Sequence, residues 1–167
     1  MKTLIVYSTT HGCTEKTAIK IKEFLKEDTI LVNLKENSNP ELDNFERVII
    51  GGSIHAGQIQ KRVKVFCQTN LQELKSKELG LFICCMEEGE TAQKQLLDAF
   101  PNELHEFAKT SAYLGGEFDF ERMNFFQKLV VKKVAHVKES ISTVNDISIR
   151  KFSRQMTTIF NPFLFLV

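Results

Sequence analysis

Four hydroxyl residues fall within seven positions near the amino terminus, in Ser8-Thr9-Thr10-His11-Gly12-Cys13-Thr14. Hydroxyls, backbone amides and a glycine that lets the main chain come close can hold a phosphate monoester without a counter-charge. No lysine or arginine lies inside the segment. A helix opening near Thr14 adds unpaired N–H groups and the positive end of its dipole. The spacing fits neither G-x-G-x-x-G nor G-x-x-x-x-G-K-[ST], which excludes those two phosphate motifs. A hydroxyl-capped helix following a polar loop explains the same residues with no ligand at all.

Two more segments join small residues to the end of an apolar run. One is Gly51-Gly52-Ser53-Ile54-His55-Ala56-Gly57 and the other Cys84-Cys85-Met86-Glu87-Glu88-Gly89. The elements that must position these segments follow from the hydrophobic pattern. Apolar runs predict strands at Thr3–Tyr7, Thr29–Asn33, Arg47–Ile50, Leu79–Cys85 and Ser111–Leu114. Helical spacing covers Thr14 to about Leu25, Gln60 to Asn70, Thr91–Phe100, a stretch after Pro101, Glu121–Glu139 and Asp146–Thr158. Strands alternating with amphipathic helices predict an α/β doubly wound sheet of five parallel strands. Such sheets bind ligands beyond the carboxyl ends of the strands. The segments to watch are therefore Ser8–Thr14, Ser53–Lys61, Met86–Thr91 and Gly115–Asp119.

Composition sets the frame. The chain has 167 residues, 43% apolar and 26% charged, enough for one soluble domain over residues 1–158. An apolar tail, residues 159–167, follows it with its role open. No apolar run nears the length of a membrane span, and the N-terminal one is too short for a signal peptide, so a cytoplasmic location is expected. Cys13, Cys67, Cys84 and Cys85 include no C-x-x-C pair, and the four histidines form no metal motif. Residues 1–118 carry 14 basic and 17 acidic side chains, whereas residues 119–167 carry 8 and 4. The basic end is also rich in phenylalanine. That combination suits either a solvated helix face or an interfacial helix against anionic lipid.

Val6-Tyr7-Ser8-Thr9-Thr10-His11-Gly12-Cys13-Thr14 resembles the FMN-phosphate loop of the flavodoxin family. Val48-Ile49-Ile50-Gly51-Gly52-Ser53-Ile54-His55-Ala56-Gly57 looks like that family's second flavin loop. The Gly-x-Ser-Ile-x-x-Gly pattern at Gly51–Gly57 is most similar to the menaquinone-dependent protoporphyrinogen oxidase branch. So is an aromatic insertion after the fifth strand, Gly115-Gly116-Glu117-Phe118-Asp119-Phe120-Glu121-Arg122-Met123-Asn124-Phe125-Phe126.

The resemblance implies a flavodoxin-like sheet of order 2-1-3-4-5 and FMN as noncovalent cofactor. It implies that Ser8, Thr9, Thr10, His11, Gly12, Cys13 and Thr14 hold the phosphate end. Ser53, Ile54, His55, Ala56 and Gly57 would follow the ring edge. Cys85, Met86, Glu87 and Gly89 would supply a third loop, and Gly116 and Phe118 a fourth. No catalytic side chain and no metal is expected. The implied activity is an FMN-dependent oxidoreductase passing electrons from a reduced organic substrate to a quinone. A soluble electron carrier and a flavodoxin-like binding module without turnover are the alternatives. A quinone or other redox partner and peripheral contact with an anionic membrane face are expected, and nucleic acid is not.

Overall fold

The computed structural model describes residues 1–121, 123–134 and 139–158, and of residues 118, 130 and 134 the backbone alone. The tail 159–167 and residues 135–138 of the expected long helix lie outside the described residues.

The apolar runs become the strands β1 (Lys2–Ser8), β2 (Asp28–Asn33), β3 (Arg47–His55), β5 (Glu78–Cys84) and β6 (Ala108–Tyr113). They form a parallel sheet of order β2-β1-β3-β5-β6, with the two-residue β4 (Gln58–Ile59) antiparallel to β3. Setting β4 aside, this is the 2-1-3-4-5 order expected of the five long strands. Side chains alternate across the sheet and build two cores. Leu4, Val6, Val48, Ile50, Leu79, Leu81 and Ile83 face α2 (Lys61–Thr69) and α4 (Gly89–Ala99). Ile5, Tyr7, Ile49, Phe82 and Cys84 face α1 (Cys13–Leu25) and α7 (Asp146–Thr157), meeting Ala18, Ile21, Ile149, Phe152 and Met156. Two short helices, α3 (Leu71–Leu74) and α5 (Asn102–Phe107), lead into β5 and β6.

At the amino ends of the strands the polar groups are paired. Arg47, 3% exposed, bonds Glu27 and reaches Glu78 Oε2 at 3.0 Å, while Thr3 Oγ1 donates to Glu27 at 2.6 Å.

Three expectations change. The strand read as ending at Ile50 runs on to His55, because Ile54 and His55 pair with Ile59 and Gln58 of β4. Its glycines are needed there: a Cβ at Gly51 would lie 2.0 Å from the Phe82 ring. Ser53–Gly57 is thus a strand end and a tight hairpin, turned by Ala56 and Gly57 at φ 49° and 75°. The segment Gly115–Asp119 is not all loop, since β7 (Glu117–Phe118) pairs antiparallel with β8 (Ile141–Ser142). The helix expected over Glu121–Glu139 is, among the described residues, α6 (Phe125–Val134). Asn124 stops it at the front: its Oδ1 accepts from Gln127 N and its N–H donates to Gln127 Oε1, both at 2.9 Å. That reciprocal cap fixes the first turn one residue later.

Candidate functional site: a cavity at the carboxyl ends of the strands

β1 ends at Ser8 and the chain turns through Thr9, Thr10 and His11 to Gly12, which caps α1 at φ 91° with no side-chain hydrogen bond. The helix begins at Cys13, one residue before the expected Thr14. Thr9 Oγ1 accepts the Gly12 N–H at 2.9 Å and so shapes the loop. Ser8 and Thr14 behave differently. Both are buried, 1% and 0% exposed, and among the described residues neither hydroxyl has an oxygen or nitrogen partner, the Cys84 sulfur alone lying beside Thr14. A buried hydroxyl left unpaired costs about 1–3 kcal/mol, so two at one loop mark a place built for an acceptor from outside the chain.

Beside this loop opens a cavity of about 680 Å³. Of the residues singled out in the sequence, Thr9, Thr10, His11, Cys13, Ser53, Ile54, His55, Ala56, Cys85, Met86 and Gly116 line it. Ser8 at the end of β1, Gly12 in the loop and Thr14 in the first turn of α1 do not line it. Gly57, Glu87 and Gly89 do not line it, and neither does the described part of Phe118, its β7 backbone. Gly57 and Gly89 instead take positive φ, 75° in the β3–β4 turn and 59° at the start of α4.

Cys84, Glu117, Met123, Phe126, Gln127 and Val131 complete the cavity; none was expected singly to hold the flavin, although Glu117 lies in a segment singled out from the sequence and the other four insertion residues in the stretch Phe118–Glu139 expected to face the substrate. Four of these come from the insertion between β7 and β8, which folds back over the strand ends. Its aromatic content was a signal, but nothing in the spacing said which positions turn inward. The start of β7, from which the insertion leaves, is tied to the first turn of α1 by Lys16 Nζ, which meets Glu117 Oε2 at 2.9 Å. Gly116 brings the two backbones together, for a Cβ there would fall 2.6 Å from the Cys85 carbonyl group.

Among the described residues the wall carries no lysine or arginine, and the one carboxylate described there, Glu117, is paired with Lys16. His55 is exposed at the strand end, yet partial desolvation against the cavity wall is the main reason its imidazole titrates below its ordinary value of 6.5, with His11 and Lys35 pushing the same way. Burial likewise raises Cys85, to about 11, which keeps that thiol protonated. In the Cys13–Cys84 pair the Cys13 thiol is raised and Cys84 lowered, as when Cys13 donates to Cys84. Among the described residues no cluster of side chains could hold a metal ion.

The parallel sheet, the hydroxyl loop at the start of α1 and the cavity across the strand ends define a flavodoxin-type domain. A family profile described as Flavodoxin domain matches residues 4–144, so the chain belongs to that family, and its cofactor is FMN. The unpaired Ser8 and Thr14 hydroxyls and the uncharged cavity fit that group.

Among curated proteins the chain is similar to protoporphyrinogen IX dehydrogenase [quinone] of Escherichia coli strain K12, 34% identical over 79 residues. That match covers 46% of this chain and 44% of the relative, so the chain spans less than half the length of the relative it matches. Among solved structures it resembles the WrbA-like flavodoxin from Agrobacterium tumefaciens, at 14% identity and TM-score 0.54 over 93% of this chain and 96% of that one. It also resembles two-electron reduced Megasphaera elsdenii flavodoxin, at 19% identity and TM-score 0.52 over 66% of this chain and 84% of that one. At these identities the two structures speak to the fold alone.

Proposed function

We propose that this chain is an FMN-dependent oxidoreductase that takes electrons from a reduced organic substrate and gives them to a quinone. The observation that carries the reading is the apolar wall contributed by Met123, Phe126 and Val131. A carrier that hands single electrons to a protein needs only an exposed ring edge. Here the insertion extends the cavity beyond the sheet, giving room and aromatic surface for a second flat apolar molecule. The E. coli relative, a quinone-linked protoporphyrinogen dehydrogenase by name, supports the same class of substrates.

The chain's own residues divide the work. Ser8, Thr9 and Thr14 with the first amides of α1 would hold the phosphate, and Gly12 leaves space for it. His55, Ala56, Cys85, Met86 and Gly116 would bound the ring. When bound, the flavin supplies the electron-transfer chemistry. The insertion would exclude water and orient the substrate against the ring.

The same insertion would meet a lipid surface. Phe125, Phe126 and Leu129 are 75%, 76% and 54% exposed, beside Lys128, Lys132 and Lys133. That is an apolar face with basic flanks, suited to the headgroup region of an anionic bilayer where quinones reside. Among the described residues no helix is long and apolar enough to cross a membrane.

The test uses FMN-loaded protein reduced with dithionite and mixed with a short-chain quinone. Phe126→Ser with Val131→Ser should slow quinone reduction at least tenfold while FMN stays bound. Phe125→Ser with Leu129→Ser should leave that rate unchanged in solution and weaken co-sedimentation with anionic vesicles. Unchanged quinone reduction in the first variant would remove the substrate role of the insertion. Binding that ignores lipid charge and salt would remove the membrane role.

A further inference from the structure

Where β3 and β4 pair, a short hydrogen-bond relay has its direction set by the backbone. The Ser53 N–H donates to Gln60 Oε1 at 2.9 Å. A main-chain N–H can only donate, so the amide oxygen of Gln60 must face it and the amide nitrogen must point on towards Ser53 Oγ, to which it donates. Gly52 makes room for this amide: a Cβ there would lie 2.8 Å from Gln60 Oε1. Ser53 Oγ thus accepts from Gln60 and keeps its own hydrogen for its other neighbour, His55 Nε2, at 3.1 Å. The reverse assignment, with Nε2–H donating to Ser53, leaves the serine hydrogen with no acceptor among these neighbours. A neutral imidazole has one N–H and one bare nitrogen. If Nε2 receives the serine hydrogen, the ring proton sits on Nδ1. Partial desolvation disfavours a second proton, and the His11 ring, 5.9 Å away, and Lys35 disfavour it further.

We propose that His55 is a neutral Nδ1–H hydrogen-bond donor to the occupant of the cavity, and that Ser53 and Gln60 are positioning residues that fix this tautomer. His55 lines the cavity, and the Nδ1 side is the edge that Ser53 does not hold. A fixed donor favours the more electron-rich form of whatever it faces. With FMN bound, which rests on the functional reading above, it makes the chain hold the reduced flavin better relative to the oxidised one.

The tautomer is tested without any cofactor. Long-range proton–nitrogen-15 NMR of the FMN-free chain near pH 7.5 should give the Nδ1–H pattern for His55. Gln60→Glu turns the relay round, because a carboxylate accepts both the Ser53 N–H and the Ser53 hydroxyl, and the pattern should switch to Nε2–H. Ser53→Ala, which adds no charge, should give a mixture of both tautomers. An Nε2–H pattern in the unaltered chain, or no change in either folded variant, overturns the tautomer assignment. The second measurement is the ratio of dissociation constants for oxidised and reduced FMN. Ser53→Ala should shift it against the reduced form by about twofold to fivefold, the upper limit being the loss of one whole neutral hydrogen bond of about 1 kcal/mol. An unchanged ratio overturns the role of the relay while leaving FMN binding intact. If the chain binds no FMN, the cofactor reading fails, and the NMR pattern alone decides the tautomer.

Discussion

The two ends of the sheet treat buried polar groups in opposite ways. At the amino ends, Arg47 is enclosed and answered by Glu27 and Glu78, and Glu27 also takes the Thr3 hydroxyl. At the carboxyl ends, Ser8 and Thr14 are as deeply enclosed and answered by no oxygen or nitrogen among the described residues. One end is finished as a piece of folded structure. The other is finished only when a ligand arrives. Stability is concentrated at the first and withheld at the second, as expected where a fold departs from local rules for the sake of a site.

The strongest way to break the contrast is Arg47→Ala. It leaves two carboxylates without their guanidinium and should cost about 3 kcal/mol, at the low end for a buried pair because Glu78 is partly in water. Urea unfolding measures the loss, and FMN affinity of the folded protein should not change. Ser8→Ala with Thr14→Val tests the other end with the opposite sign. The FMN-free protein should gain about 1–2 kcal/mol, since two unanswered hydroxyls are gone. FMN should bind about tenfold to thirtyfold more weakly, with riboflavin, which lacks the phosphate, far less affected. Equal losses for both ligands would detach the hydroxyls from the phosphate.

The smallest effect is a pH slope. Folding holds His55 below its ordinary value of 6.5, so between that value and the lowered one the unfolded chain binds more protons. Stability should therefore fall as pH drops below 6.5 and level off once the folded imidazole is also protonated. His55→Gln should remove that part of the slope, seen as converging urea midpoints of the two proteins at higher pH and a gap at lower pH.

The three central strands were legible because they are buried on both faces and so read as unbroken apolar runs, as in Leu4–Val6 or Val48–Ile50, whereas the edge strand β6 carries the polar Lys109 and Thr110 near its start and was read only from Ser111. The carboxyl half of β3 was not. Gly51, Gly52 and Ser53 have little preference for strands, and only Phe82 from β5 and the hairpin partner Ile59 explain why small residues extend the sheet there. The hydroxyl segment stood out in the sequence because four hydroxyls fall within seven positions. His55 could be named but not understood, since its orienting partner proved to be a serine two residues back, itself held by Gln60. Met123, Phe126, Gln127 and Val131 reach the cavity from more than a hundred residues beyond the loop they face. No local pattern encodes such a return.

The β7–β8 pairing has a practical consequence. Glu117 stands opposite Ser142 and Phe118 opposite Ile141, so the segment between them leaves and re-enters the domain through a neck one strand spacing wide, about 5 Å. A two-residue Asn-Gly turn could close that neck without moving either strand. The insertion is therefore a cassette: it can be cut out to leave a bare FMN domain, or exchanged for another to give the same redox centre a different clientele.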